Sequence, residues 1–467
     1  MTAKKSVFNR TELNMTSGSP TRLLLQFATP LLIGNLFQQM YNMVDSIVVG
    51  NVMGANALAS VGACSSVIWL FFSIANGLAS GIGIIVAQYY GAGERNKVRA
   101  TIANAAYILV SISLFVGAAG ILLAPTVLRL LGTPDTVLGD AVAYFRTVCV
   151  GMLFVATSEG VGSSMRALGN SVTPLYFQIL ACVMNTVLDV LFVKYLHMGV
   201  FGAALATVMS QFTAAACVLT YARVRIPTYY RFSKEEGKPD RRIIGNAFRI
   251  GLPIAVQSSM IAVSCVVLQN VVNSFGATVM ATFTITSRIE TLVQQPFQSL
   301  TVSLSNYTGQ NIGAGKTDRV KQGFRKAVIM ASAFSFVMLP LAFFFGRYLI
   351  YAFVKDEQVI SMGTQALRIT SLCYFPLGLI YMPRGVMNGA GDARFSMING
   401  VTEVICRVLY SMIFTRIAAI GYWGIWITTG ATWCTVAVIC LLRYRSGVWM
   451  KKGIVQRERV SAQQTAA

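Results

Sequence analysis

Gln88-Tyr89-Tyr90-Gly91-Ala92-Gly93 returns 222 residues later as Gln310-Asn311-Ile312-Gly313-Ala314-Gly315. One such match is noise. The same shift, however, pairs Gly54-Ala55 with Gly276-Ala277, Arg146 with Arg368, Met165 with Met387, Gly169-Asn170 with Gly391-Asp392, Gly199 with Gly421 and Gly202 with Gly424. Pro30 and Pro253 match one gap earlier, at 223. A shift held over about 170 residues marks an internal duplication.

Between these landmarks lie apolar blocks at 23–48, 58–88, 101–124, 138–160, 170–193, 200–222, 247–273, 280–308, 323–346, 359–381, 395–416 and 421–443. A helix needs roughly 20 apolar residues to cross a bilayer. Of the 467 residues, 55% are hydrophobic and 12% charged, half the charge of a typical soluble domain. Six blocks fall in each half, and an even number returns the chain to its starting side. The expected fold is an all-α polytopic membrane protein: twelve transmembrane helices in two parallel six-helix lobes, related by a pseudo-twofold axis along the membrane normal. The expected division is an N-terminal tail over 1–22, a first lobe over 23–222, a linker over 223–246, a second lobe over 247–443 and a C-terminal tail over 444–467.

The net charge of +21 invites a nucleic-acid reading, but the positions argue otherwise. Of the 38 Lys and Arg, 29 occupy one alternate set of loops and tails and 5 the other. That asymmetry expects both termini and the linker in the cytoplasm, a plasma-membrane (prokaryotic inner-membrane) location and no nucleic-acid partner. The expected partners are the lipid bilayer and small organic solutes, and the expected state is a monomer. All nine cysteines lie in apolar blocks without a CxxC, so they read as buried hydrophobes. His197 is the only histidine, which leaves little for a His-based metal site or triad. No P-loop, GxSxG or GxGxxG occurs, and glycines such as Gly77, Gly81 and Gly83 read as helix-contact positions. The expectation is therefore no enzyme, no catalytic residue and no cofactor.

Asp45, Glu159, Asp189, Glu290 and Glu403 fall within the apolar blocks. Each costs on the order of 3 kcal/mol at mid-membrane unless paired, hydrated or protonated. In the first block Asn35, Gln38, Asn42 and Asp45 share one helix face. In the fifth, Gln178, Cys182, Asn185 and Asp189 do the same. Asn185 and Asp189 lie one turn apart and offer a small cation the hard oxygens it prefers; the carboxylates can equally take a proton. The second half lacks these acids: shifted by 222, Asp189 becomes Ser411 and Asn185 becomes Arg407. Glu403 and Arg407, four apart, have the spacing of a structural ion pair. Glu290, Gln294 and Gln298 share a face that could line a cavity.

Taken together, the six-plus-six blocks resemble the multidrug and toxic compound extrusion (MATE) family. So do Tyr41-Asn42-Met43-Val44-Asp45-Ser46-Ile47-Val48-Val49-Gly50, the Gln88–Gly93 motif with its copy, and Met165-Arg166-Ala167-Leu168-Gly169-Asn170. The resemblance covers nearly the whole chain. It implies export of amphipathic, often cationic compounds driven by inward H+ or Na+, with the ion as the only cofactor-like species. It also implies an ion-coupling set of Asp45, Asn185, Asp189 and Thr207, which would be the metal ligands if Na+ couples. The substrate cavity would draw on Gln38, Tyr41, Asn42, Tyr144, Glu159, Glu290 and Gln294. Where one branch of that family has asparagines late in span 4, this chain has Ser158, Glu159 and Gly162. The alternative is a flippase for a lipid-linked sugar or other anionic lipid, which would need arginines such as Arg288 and Arg407 in its cavity.

Overall fold

The computed structural model describes residues 13–458; the side chains of Asn42, residues 44–51, Ala55, Asn56, Leu58 and Ala59 lie outside the description. The described chain is helical throughout. In lipid, every backbone N–H and C=O must be satisfied within its own segment, and a helix does this for a single strand of chain. In order, the helices are α1 (Pro20–Met53), α2 (Ala55–Gly91), α3 (Arg95–Leu130), α4 (Asp135–Ala167), α5 (Val172–Asp189), α6 (Gly199–Arg225) and the short α7 (Pro227–Tyr230). Then come α8 (Arg241–Asn273), α9 (Ala277–Gly313), α10 (Thr317–Tyr351), α11 (Glu357–Ser371), α12 (Tyr374–Ala390), α13 (Ala393–Phe414) and α14 (Gly424–Arg445).

Among the described residues, nine of these segments are long and apolar enough to cross a membrane. The three blocks outside that set have visible reasons. Part of α1 falls outside the described side chains. Helix α9 carries Arg288, Glu290, Gln294, Gln295 and Gln298. The tenth block is broken after Ser371, leaving α11 and α12 as pieces of 15 and 17 residues.

The chain divides into two compact units. The first comprises Met1–Asn14 and Thr29–Ala255, the second Met15–Ala28 and Val256–Ala467. In the first unit α4 packs against α2, α3 and α6, and α5 lies on α6. In the second, α12 packs against α9, α10 and α14, and α13 lies on α14. Two of the three chain crossings between the units fall inside a helix, close to Pro30 of α1 and Pro253 of α8.

The duplication is written into the backbone of each unit. Gly54 and Gly276 have φ of +85° and +90°, Gly93 and Gly315 +76° and +73°, Gly169 and Gly391 +93° and +83°, and Gly199 and Gly421 +63° and +53°. Only glycine adopts these angles without a Cβ penalty, so the matched glycines are turn residues preserved by geometry. A matched side-chain contact accompanies them. Arg146 Nε donates to the Ile121 carbonyl at 3.0 Å, and Arg368 Nε to the Phe343 carbonyl at 3.1 Å. Both partners are also 222 apart. Pro125 has no amide to offer Ile121, and Arg146 supplies that missing donor.

Elsewhere, glycine sets helix spacing. A Cβ on Gly389 of α12 would stand 2.2 Å from the Ser305 carbonyl oxygen of α9, which is backbone and cannot swing away. Gly389→Ala should cost about 1–3 kcal/mol by overpacking and lower the melting temperature of the purified protein. Gly245→Ala, where nothing lies within 4 Å, should be tolerated.

The segment from Arg223 to Asn246 is docked rather than loose. Arg99 of α3 bonds to the Arg231 carbonyl and pairs with Glu236 at 2.9 Å. Tyr107 donates to the Gly237 carbonyl at 2.9 Å, and Asn104 Oδ1 accepts the Asp240 amide at 2.8 Å. The Glu236 carboxyl is held below the usual glutamate range, first by the Ser233 amide donating at 2.8 Å and further by Arg99. A lowered value in the folded state stabilises docking above the ordinary glutamate range, and the contribution is lost as pH falls through the lowered value. Hydrogen-exchange protection over residues 231–240, relative to the intrinsic rate at each pH, should therefore be high at neutral pH and fall in acid. Glu236→Gln should already exchange fast at neutral pH.

Candidate functional site

The polar stripe of α5 faces α1, α4 and α6 within the first unit. Between them lies a cleft of about 640 Å³, its open mouth included. Gln38 and Tyr41 come from α1; Ser158, Glu159, Gly162 and Arg166 from α4. Phe177, Gln178, Cys182 and Asn185 come from α5, and Ser210 and Gln211 from α6. The lining is largely polar although the helices around it are apolar, the pattern of a watery cavity rather than of a packed core.

At the deep end, Asn185 and Asp189 are each 1% exposed. Asn185 Nδ2 donates to Thr207 Oγ1 at 3.3 Å, and the Thr207 hydroxyl donates to the Ala203 carbonyl at 3.2 Å. Asn185 and Asp189, one turn apart on α5, and Thr207 on α6 are oxygen-bearing side chains of the kind a small cation prefers. Asp189 is the last α-helical residue of α5, and the next turn, Val190–Tyr195, is π-helical. Single π turns inside helices often mark functional sites, because the wider turn reorients the side chains beside it. Asp45 and Asn42 lie outside the described side chains, so the α1 share of the group is not placed. Among the described residues, no set of three or more His, Cys, Asp or Glu forms a metal cluster. Any cation here would be held by mixed oxygen ligands.

Nearer the mouth, Gln178 Nε2 donates to Gln38 Oε1 at 3.2 Å, tying α5 to α1. Gly34 makes room for this bond: a Cβ there would come within 2.7 Å of Gln178 Oε1 and 3.2 Å of Leu175 Cδ1. Glu159 Oε2 stands 3.3 Å from Arg166 Nη2.

The remaining sequence-derived candidates lie elsewhere. Tyr144 is buried with Cys64, Ala141, Phe145, Val193 and Val200 in an apolar cluster and is not among the cleft's lining residues. Glu290 and Gln294 belong to the second unit. Glu290 is 8% exposed, and Gln294 Oε1 accepts the Tyr381 hydroxyl at 3.0 Å. Arg407 Nη2 is 3.4 Å from Glu403 Oε1, and Arg384 approaches the other Glu403 oxygen at 4.0 Å. Arg384, expected in a loop, sits inside α12 because that helix runs on to Ala390.

Of the polar and aromatic lining residues, four escaped the sequence reading as cavity residues: Arg166, Phe177, Ser210 and Gln211. Arg166 counted there only as a loop charge. The readable clue was Gly162 between Glu159 and Arg166, a gap in the helix surface through which the guanidinium can reach back.

A family model named MatE matches residues 30–191 and again 253–413. The probable multidrug resistance protein YpnP of Bacillus subtilis (strain 168) is 28% identical, covering 93% of this chain and 97% of the relative. The probable multidrug resistance protein NorM of Thermotoga maritima is 24% identical, covering 94% and 95%. Among solved structures, an outward-facing multidrug resistance MATE family transporter of the MOP superfamily superposes with a TM-score of 0.85, at 22% identity, over 94% of this chain and 98% of that one. A MOP superfamily transporter from Pyrococcus furiosus, described as having a binding pocket of reverse polarity, superposes with a TM-score of 0.87, at 22% identity, over 93% and 98%. These two establish the common fold.

Gly34→Ala tests the mouth of the cleft. The atom it displaces is the end of a flexible side chain, so the stability cost should stay below about 1.5 kcal/mol. The Gln178–Gln38 bond should be lost all the same. The expected outcome is a nearly unchanged melting temperature with reduced substrate binding by the purified protein.

Proposed function

Because the chain belongs to the MatE family of multidrug efflux transporters, we propose that it exports amphipathic, cationic organic compounds in exchange for H+ or Na+, with the coupling ion held in the first unit. The observation that carries this reading is a polar cleft in the first unit lined by Asn185, which bonds to Thr207 and stands one helical turn from the buried Asp189. A carboxylate in that position is costly in the membrane unless it carries a proton, a cation or a partner. Asp45, on the matching face of α1, is proposed as the second carboxylate.

Antiport requires that the two ligands prefer different states, since a ligand bound equally by both shifts nothing. With the carboxylates charged, their repulsion and hydration favour the wet, open cleft, which attracts a cationic amphiphile. Binding of H+ or Na+ cancels that charge. The helices carrying it can then close together, and the solute loses its counter-charge. A coupling of roughly 1–3 kcal/mol, or about 5–150-fold in affinity, is the usual range for such linkage. The charge asymmetry of the loops supports a multi-pass protein of the plasma membrane with both ends in the cytoplasm. The flippase alternative called on Arg288 and Arg407 to hold an anionic headgroup; the Arg407 guanidinium is 9% exposed and set against Glu403, which speaks against that role for Arg407.

Reconstitution into proteoliposomes with separately imposed Na+ and H+ gradients tests the reading. One of the two gradients should drive uptake of a lipophilic cation. Asp189→Asn should abolish that drive while the protein remains folded and inserted. Gradient-driven transport that survives in Asp189→Asn would remove the ion site from this position.

A further inference from the structure

The cleft contains a second charged feature, separate from the Asn185–Asp189–Thr207 group. Glu159 and Arg166 lie on the same helix, seven residues apart, or about 10 Å along the axis. Side chains at that spacing meet only if one lies flat along the helix surface. Gly162 permits it: a Cβ there would stand 3.3 Å from Arg166 Nη1, in the path the guanidinium takes to reach Glu159. Both side chains line the cleft, and they are 36% and 20% exposed.

We propose that Arg166 is a displaceable, built-in counter-ion for Glu159, and that the carboxylate it covers is the subsite for the cationic head of an amphipathic substrate. The inference rests on the cation-export reading above and assigns the substrate charge a place apart from the coupling ion. Three features favour displacement over a permanent bridge. The pair is wetted by the cleft, and ion pairs at such exposure are weak. Arg166 also lies in the last turn of α4, so the carbonyl end of its own helix offers the released guanidinium a second favourable position. Finally, Phe177 and Tyr41 line the same cleft and provide aromatic faces for the apolar body of a lipophilic cation. A cation arriving at Glu159 thus exchanges one positive charge for another. A neutral amphiphile passes without disturbing the pair, and Arg166 sets how strongly the cleft selects for charge.

The test uses two probes of nearly equal shape and opposite charge, tetraphenylphosphonium and tetraphenylborate, bound at equilibrium to the purified full-length protein. Arg166→Gln should tighten tetraphenylphosphonium about fivefold and weaken tetraphenylborate. Glu159→Gln should do the reverse. The double variant should bind the phosphonium as Glu159→Gln does, because the gain acts through the freed carboxylate. Arg166→Lys should stay near wild type. Should Arg166→Gln prove unstable, Gly162→Ala pushes on the guanidinium without removing either charge and should shift phosphonium binding in the same direction. Phosphonium binding that ignores Arg166, or a gain that persists once Glu159 is also neutral, overturns the inference alone. Absence of phosphonium binding in every variant, wild type included, overturns the cation-export reading and this inference with it.

Discussion

A carboxylate inside a membrane-spanning helix must find water, a proton, a cation or a guanidinium, and this protein gives its acids different answers. Glu159 lines a polar cleft and stands against Arg166. Glu403 is buried against Arg407, with Arg384 beyond it. Asp189 closes α5 beside an amide and a hydroxyl, at the start of a π-helical turn. Without these arrangements the helices could not stay in the bilayer with their charges intact. The buried Glu403–Arg407 pair lies on the duplicate of the helix that carries Asn185 and Asp189. One copy of the duplicated design thus carries a buried carboxylate–guanidinium pair on this helix, while the other carries an asparagine and an aspartate there.

The apolar surroundings make these few polar groups count. In the second unit Gly389 brings α12 against the α9 backbone, while at the cleft Gly34 leaves room for the Gln178 side chain. Within it, hydrogen bonds such as Gln178–Gln38 and Asn185–Thr207 tie helices together where hydrophobic packing alone would not fix their register. The same bonds are weak enough in a wet cavity to be exchanged for bonds to a solute. That balance suits a transporter, which must bind and release.

The repeated glycines show how a sequence can carry backbone geometry directly. Gly54, Gly93, Gly169 and Gly199 each match a glycine 222 residues later, and all eight take positive φ. A residue whose identity is dictated by its own φ can be read without neighbours. The polar face of α5, and Gln38 on α1, were legible for a related reason, since 3.6 residues per turn is a local rule. Tyr144 was not legible: its place among Cys64, Phe145 and Val200 depends on which face of α4 meets α2 and α6. The break after Ser371 was equally hidden, because the tenth apolar block runs through it without a change in composition.

The sequence by itself determined the all-α membrane class, the duplication and its turns, and the gathering of cation-suited oxygens on α5. Each follows from local periodicity, hydropathy or a glycine's unique φ. Only the tertiary structure decided which polar residues share a cavity. It brought Thr207 to Asn185, Gln38 to Gln178 and the Arg166 guanidinium back across Gly162 to Glu159. Side chains far apart in sequence, or separated by two helical turns, meet only through packing and rotamer choice. No local pattern encodes those.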